Sequence, residues 1–206
     1  MVLGAYPSAR FATIGGKRDV PVGDNLGPFE PERYFDGDRV RTQASADELN
    51  RLFLGPLGVT RERCWVTDLV KVLLFKRGHR DKYAALGASV PEGYRRESFE
   101  DLAVRSMPWL AREIRVSRPA LVLTLGSEVA GLVRGIAGQR ARNALLGPNV
   151  TDVAIDGTEV RMVHLARPGI LMRGGGDRNP WPAATRDHVQ TLKTSIVELG
   201  LADPVT

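Results

Sequence analysis

Ala120-Leu121-Val122-Leu123-Thr124-Leu125-Gly126-Ser127 decides the fold class. The run is apolar except for Thr124 and stops at a Gly-Ser turn, the pattern of a strand covered on both faces, as parallel sheets require. Glu128 to Val133 then reads as helix. Outward from this point, Met1 to Leu3 and Cys64 to Thr67 are short strands of the same kind, and Val153 to Ile155 with Glu159 to Leu165 form a hairpin around Asp156-Gly157. Ser45 and Glu48 make a capping-box pattern ahead of Leu49, Leu52 and Phe53. Ser98 with Asp101 starts a helix towards Ile114 that Pro108 and Trp109 interrupt, and a last helix runs from about Ala183 to Leu199. Tyr6 to Thr42 is rich in Gly, Pro, Arg and Asp, lacks periodicity, and is too long for an idle loop. Strands alternating with helices predict one α/β domain over residues 1–206: three α/β/α layers around a central, mainly parallel four-stranded sheet.

The 206 residues are 43% apolar and 26% charged, enough for a real core. A chain of this length buries roughly 70% of its unfolded surface. No apolar run approaches the roughly 20 residues of a membrane span, and no charged-then-apolar leader opens the chain. The single cysteine, Cys64, makes neither an internal disulfide nor a cysteine-ligated metal or iron–sulfur site. A cytoplasmic, reducing setting and a monomer without membrane contact are the expectations. Lys and Arg outnumber Asp and Glu by 29 to 24, and 24 of the 29 are Arg. Arginine suits bidentate phosphate contacts, so a polyanionic partner is one reading; codon bias of a GC-rich genome is the other.

In such sheets the functional loops lie at the carboxyl ends of the strands. Those ends read Gly4-Ala5-Tyr6-Pro7-Ser8, Thr67-Asp68-Leu69-Val70-Lys71, Leu125-Gly126-Ser127-Glu128-Val129-Ala130, and His164-Leu165-Ala166-Arg167-Pro168-Gly169-Ile170-Leu171-Met172-Arg173. In this order, with helices between them, they resemble the uracil-DNA glycosylase superfamily from Val2 to about Arg173. Its members carry a Gly-x-x-Pro motif, a Thr-Asn-x-x-Lys segment, an Ala-Leu-Gly-x-x-Ala step, and a His-Pro-Ser motif followed by Leu and Arg. The resemblance implies flipping of a nucleotide out of DNA and hydrolysis of its N-glycosidic bond, with neither metal nor cofactor. The three histidines, His79, His164 and His188, are scattered and form no metal-ligand pattern.

Three departures bear on the chemistry. Ala5 and Tyr6 stand where the family places an acid or amide; Asp24 is either a relocated carboxylate or a turn residue, and Phe29 either stacks on the base or joins the core. Asp68 replaces the Asn that reads uracil. Ionised, it only accepts hydrogen bonds, which favours a base edge rich in N–H over uracil; the alternative is that it turns aside to pair with Lys71 or an arginine. Arg167 falls at the position of the family histidine, and His164 fits that role only with a gap or else is a core residue. Arginine stabilises a departing base by charge but shuttles no proton.

By resemblance, Gly4, Ala5, Tyr6, Phe29 and Asp68 contact the base, and Asp24, Arg167 and His164 are the catalytic candidates. Leu171 and Met172 occupy the wedge position. Pro7, Ser8 and Ser127, with the cations Lys71, Arg77, Arg80 and Arg173, are the DNA contacts; a plain solvated basic loop is the other reading of Lys71 to Lys82. Three functions compete: a DNA glycosylase with a substituted site, a DNA-binding module of the same fold without turnover, and an enzyme acting on free nucleotides.

Overall fold

The computed structural model describes residues 1–23, 27–147, 150–172 and 179–200. After β1 (Val2–Gly4) come two antiparallel hairpins, β2 (Arg10–Ile14) with β3 (Arg18–Gly23) and β4 (Arg33–Phe35) with β5 (Val40–Thr42). Much of the segment expected to be irregular is therefore paired. Its strands escape a search for alternation because neither hairpin buries a face; all their residues are exposed or half-buried.

Residues 44–57 form a rod of α1 (Ala44–Leu49), a π-helical turn (Asn50–Leu54) and α2 (Gly55–Leu57), burying Leu49, Phe53, Leu54 and Leu57. The expected capping box does not form. The helix starts at Ala44 with Gln43 as its N-cap, which puts Ser45 inside the first turn, buried and with an unbonded hydroxyl. Next come β6 (Val66–Asp68), α3 (Arg77–Ala85) and α4 (Phe99–Ser117). Pro108 does not interrupt α4 as expected. It lies on the exposed side with Val104, so the carbonyl its missing N–H leaves unbonded faces water rather than core.

The remaining elements are β7 (Val122–Leu125), α5 (Ser127–Arg134), α6 (Gly138–Asn143), β8 (Thr151–Ile155), β9 (Thr158–Leu165), α7 (Pro168–Leu171) and α8 (Trp181–Glu198). No helix among the described residues is long and apolar enough to cross a membrane.

The central sheet has five strands, not four, in the order β6-β1-β7-β9-β8. The first four are parallel, and β8 is an antiparallel edge added by the hairpin at Asp156-Gly157, whose positive φ values (46° and 74°) make a tight turn matched to strand twist. One face, with Leu3, Val122 and Met162, packs on α4 and α5 through Leu110, Ile114 and Val129. The other, with Val2, Leu123 and Val163, packs on the 44–57 rod and α8 through Phe53, Leu57 and Leu192. These are the α/β/α layers, and each buried Leu, Val or Phe contributes about 1.5–3 kcal/mol.

His164, in β9, pairs in register with Thr124 of β7 and lies on the α4/α5 face, 2% exposed. Its Nδ1 is 2.6 Å from Thr124 Oγ1, and its Nε2 is 3.4 Å from Thr151 Oγ1. Burial, with the positive charge of Arg134, pushes its pKa down to about 4. Between the unfolded value near 6.5 and 4, the unfolded chain binds a proton that the native ring refuses, so stability falls as pH drops through this window. Denaturant unfolding at pH 7 and pH 4.5 should therefore show the wild type losing about 2–3 kcal/mol more than His164→Gln. Equal losses would mean that the ring titrates normally.

Candidate functional site

A cleft of about 490 Å³ opens at the carboxyl ends of β1, β6, β7 and β9, where Gly4, Asp68, Leu125 and Arg167 face it. Its floor is set by register. Gly4 and Asp68 are the last residues of neighbouring parallel strands and stand opposite each other. A Cβ on Gly4 would lie 2.0 Å from Asp68 Oδ1 and 3.3 Å from the Phe29 ring, so only glycine lets the carboxyl and the ring meet above the strand end. Phe29 takes a left-handed φ of 58°, unusual for a bulky residue, and leans on the core.

Two backbone bonds lock this corner: the Leu69 and Val70 amides donate to the Gly4 and Ala5 carbonyls at 3.0 and 2.9 Å. Lys71 braces it from behind. Its ammonium donates to Thr67 Oγ1 and the Asp68 carbonyl, both at 2.5 Å, and pairs with Glu113 at 2.8 Å. Lys71 thus neither reaches for the Asp68 carboxylate nor projects freely towards DNA.

Asp68 is 6% exposed, and no donor among the described residues reaches its carboxyl. Burial pushes its pKa up to about 7, against the opposing charges of Lys71 and Arg167. The expected permanent carboxylate is therefore a group poised to be neutral, and a neutral acid donates as well as accepts.

Arg167 precedes α7, and its side chain crosses Gly126: a Cβ there would meet Arg167 Nε at 2.6 Å, and Gly126 has φ 102°. The guanidinium lies 5.8 Å above the Tyr6 ring and pairs with Glu128. Glu128, in the first turn of α5, also binds Arg96 at 2.5 Å. Tyr6 is held from the other side by Phe99, ring centroids 5.6 Å apart. Sequence reading missed Arg96 and the carboxylate of Glu128 that ties it to Arg167; the only local signal was an acid at a helix start.

Glu48 was missed as well. Freed from capping, it lines the cleft half-buried, with no hydrogen bond or ion pair among the described residues. The α1 helix that carries it packs against α7, just beyond Arg167.

Other expected site residues are dispersed. Pro7 is buried and offers its carbonyl to the Leu74 amide, while Ser8 lines the cleft with a buried, unbonded hydroxyl. Ser127 faces a separate groove with Phe99, Ile136 and Ala141. Arg77 and Arg80 lie on α3, which packs against the β2–β3 hairpin through Phe11, His79 and Tyr83. Leu171 packs inward, whereas Met172 is half-exposed and receives a 3.0 Å contact from Arg51. The structure does not bring His164 to the cleft: its ring points into the α4/α5 layer. Asp24 and Arg173 lie outside the described residues. Among the described residues, no group of His, Cys, Asp and Glu is placed to hold a metal ion.

A comparison with curated proteins matches no relative. The family model described as the uracil DNA glycosylase superfamily matches residues 22–187, a span that contains three of the four strand ends and most of the cleft wall. By that match over most of its length, with the parallel sheet and the cleft at its carboxyl ends, the chain belongs to the uracil DNA glycosylase superfamily.

Proposed function

We propose that this protein is a DNA glycosylase-type hydrolase that takes a flipped nucleotide into the cleft and cleaves its N-glycosidic bond with a substituted set of groups. The observation that carries this reading is the buried, unpartnered Asp68 carboxyl beside Phe29, above a glycine that leaves room for both. A polar group so deeply buried without a partner calls for a ligand that supplies one. A flat base against the ring, its edge on Asp68, meets both needs, and such contacts repay the few kcal/mol of unstacking.

Arg167, fixed by Glu128 and Tyr6, supplies a cation for the charge that develops as the bond electrons leave with the base. Glu48 stands as the carboxylate that orients the attacking water. The C1′–N bond breaks with its electrons on the base, the water oxygen bonds to C1′ and its proton passes to the carboxylate; the base leaves as an anion beside Arg167 and takes up a proton from solvent on release, giving an abasic sugar and the free base. Met172, exposed at the end of α7, is the side chain available to fill the vacated stack. The second reading, a nucleobase-binding module without turnover, is favoured by one observation: Ala5 and Tyr6 place no acid in the first motif.

Asp68 sets the base preference. Neutral, it donates to a carbonyl and accepts from the adjacent ring N–H, the edge that uracil presents; ionised, it loses the donor. Capture of a uracil-containing oligonucleotide should therefore weaken about tenfold from pH 6 to pH 8 in the wild type. Asp68→Asn, which carries a permanent donor, should be flat over that range. Equal pH profiles for the two proteins would remove Asp68 from base reading.

For the chemical step, Glu48→Gln should slow single-turnover cleavage by about 100-fold or more. Arg167→Ala should do so by a similar factor. Binding to abasic product DNA should change far less in Glu48→Gln. Undiminished cleavage by that variant would take Glu48 out of the mechanism.

A further inference from the structure

The hairpin at Asp156-Gly157 makes β8 one edge of the central sheet, and the two edges are not alike. β6, at the other end, is three residues long, whereas β8 runs for five, with regular pairing and neither proline nor bulge. Because the turn holds two residues, Ile155 and Thr158 exchange main-chain bonds, and by alternation so do Val153 with Val160 and Thr151 with Met162. The N–H and C=O groups of Asp152 and Ala154 therefore point away from β9, and among the described residues nothing bonds them. Exposed edges are commonly blunted by lysine, proline or a bulge. The one charge on β8, Asp152, is instead drawn back towards Arg161 of β9, at 3.9 Å.

This strand is complementary to itself. A second copy laid antiparallel along it has three registers that use the free groups of Asp152 and Ala154 and pair most of the strand. Setting Asp152 against its own copy opposes two carboxylates, and setting Ala154 against its own copy brings Asp152 against Asp156 twice. The third register puts Val153 on the two-fold axis and Asp152 opposite Ala154, so no acid faces another. Two donors from each copy then find carbonyls across the edge. On the α4/α5 side the half-buried Val153 meets its copy, flanked by Thr151 and Ile155. On the other side Ala154 separates Glu159 of one copy from Asp152 of the next, and each Asp152 keeps its Arg161.

We propose that β8 is a homodimer edge: two copies of this chain pair β8 with β8 across Val153 and join their sheets into one, in place of the expected monomer. Antiparallel pairing turns the second sheet end for end. The two clefts then open at opposite ends of the joined sheet, and neither is covered. A contact of one strand and its flanks belongs to the small, weakly associating class of interfaces, so a dissociation constant of about 1–100 µM is expected.

Sedimentation equilibrium of the full chain across that concentration range tests it: the mass should pass from one 22.5 kDa chain to two. Ala154→Pro removes an outward N–H and leaves the bonds to β9 in place, so it should weaken association about tenfold or more. Far-UV circular dichroism checks that this variant is folded. A cysteine pair decides the register even if it is not. In a Cys64→Ser background with oxidised glutathione, Val153→Cys should form a disulfide-linked dimer, because facing residues of a non-bonded antiparallel pair lie about 4.5 Å apart at Cα. Ala154→Cys, offset from its copy by two residues, should stay unlinked. A single-chain mass at every concentration overturns the proposal and leaves the edge to a strand from another protein. Unchanged association in folded Ala154→Pro also overturns it, as does linkage at 154 as ready as at 153. None of these readouts uses DNA or turnover, so the outcome is independent of the glycosylase reading.

Discussion

The cleft depends on one steric constraint, the absence of a side chain at Gly4. Parallel pairing of β1 and β6 sets this residue opposite Asp68, whose carboxyl oxygen stands where a Cβ on Gly4 would lie. Any larger residue would push Asp68 and Phe29 apart and fill the slot they form. The backbone bonds from Leu69 and Val70 and the ammonium of Lys71 keep the corner from relaxing. Their role is to hold the backbone of Asp68 in place while leaving its carboxyl without a bond.

That unbonded carboxyl is stored cost. Burying a carboxylate without donors is unfavourable by several kcal/mol, and the group avoids the cost by keeping its proton to higher pH. A ligand edge that hydrogen-bonds the neutral acid would recover what folding left unsatisfied. Arg167 has the opposite arrangement: Glu128 compensates and orients it before any ligand arrives. Lys71 stands between the two as a cation spent on bracing rather than on binding. Position along the chain does not separate these roles, since all of these residues lie at strand ends or helix starts.

Cationic and apolar parts of the cleft also come from different layers. Gly4, Asp68 and Leu125 belong to the sheet, Arg10 follows the first strand into a hairpin, and Lys76 and Arg96 lie on either side of α3. The hairpin is attached to α3 by the ring contacts of Phe11 with His79 and Tyr83, and by the 2.8 Å pair of Lys82 with Asp19. These contacts are exposed or half-buried, so the charged wall rests on a weaker support than the floor does.

The strands and their ends were legible in the sequence because an all-apolar run closed by glycine has few other uses, and parallel pairing follows from it. Gly4, Asp68 and Arg167 were found as strand-end residues for that reason. The fifth strand was visible as a hairpin, but its attachment to the sheet edge was not. Glu48 was misread because a capping box and a helical residue facing a cleft have the same local spacing, and His164 stayed open between site and core because the end of a strand does not reveal which face a side chain takes. What the sequence determined by itself was which residue types end which strand. Only the tertiary structure decided that burial raises the pKa of Asp68 to about 7, that Glu128 joins Arg96 to Arg167, and that Lys71 faces Glu113. Burial and charge act through neighbours brought together from distant parts of the chain, and local sequence does not encode them.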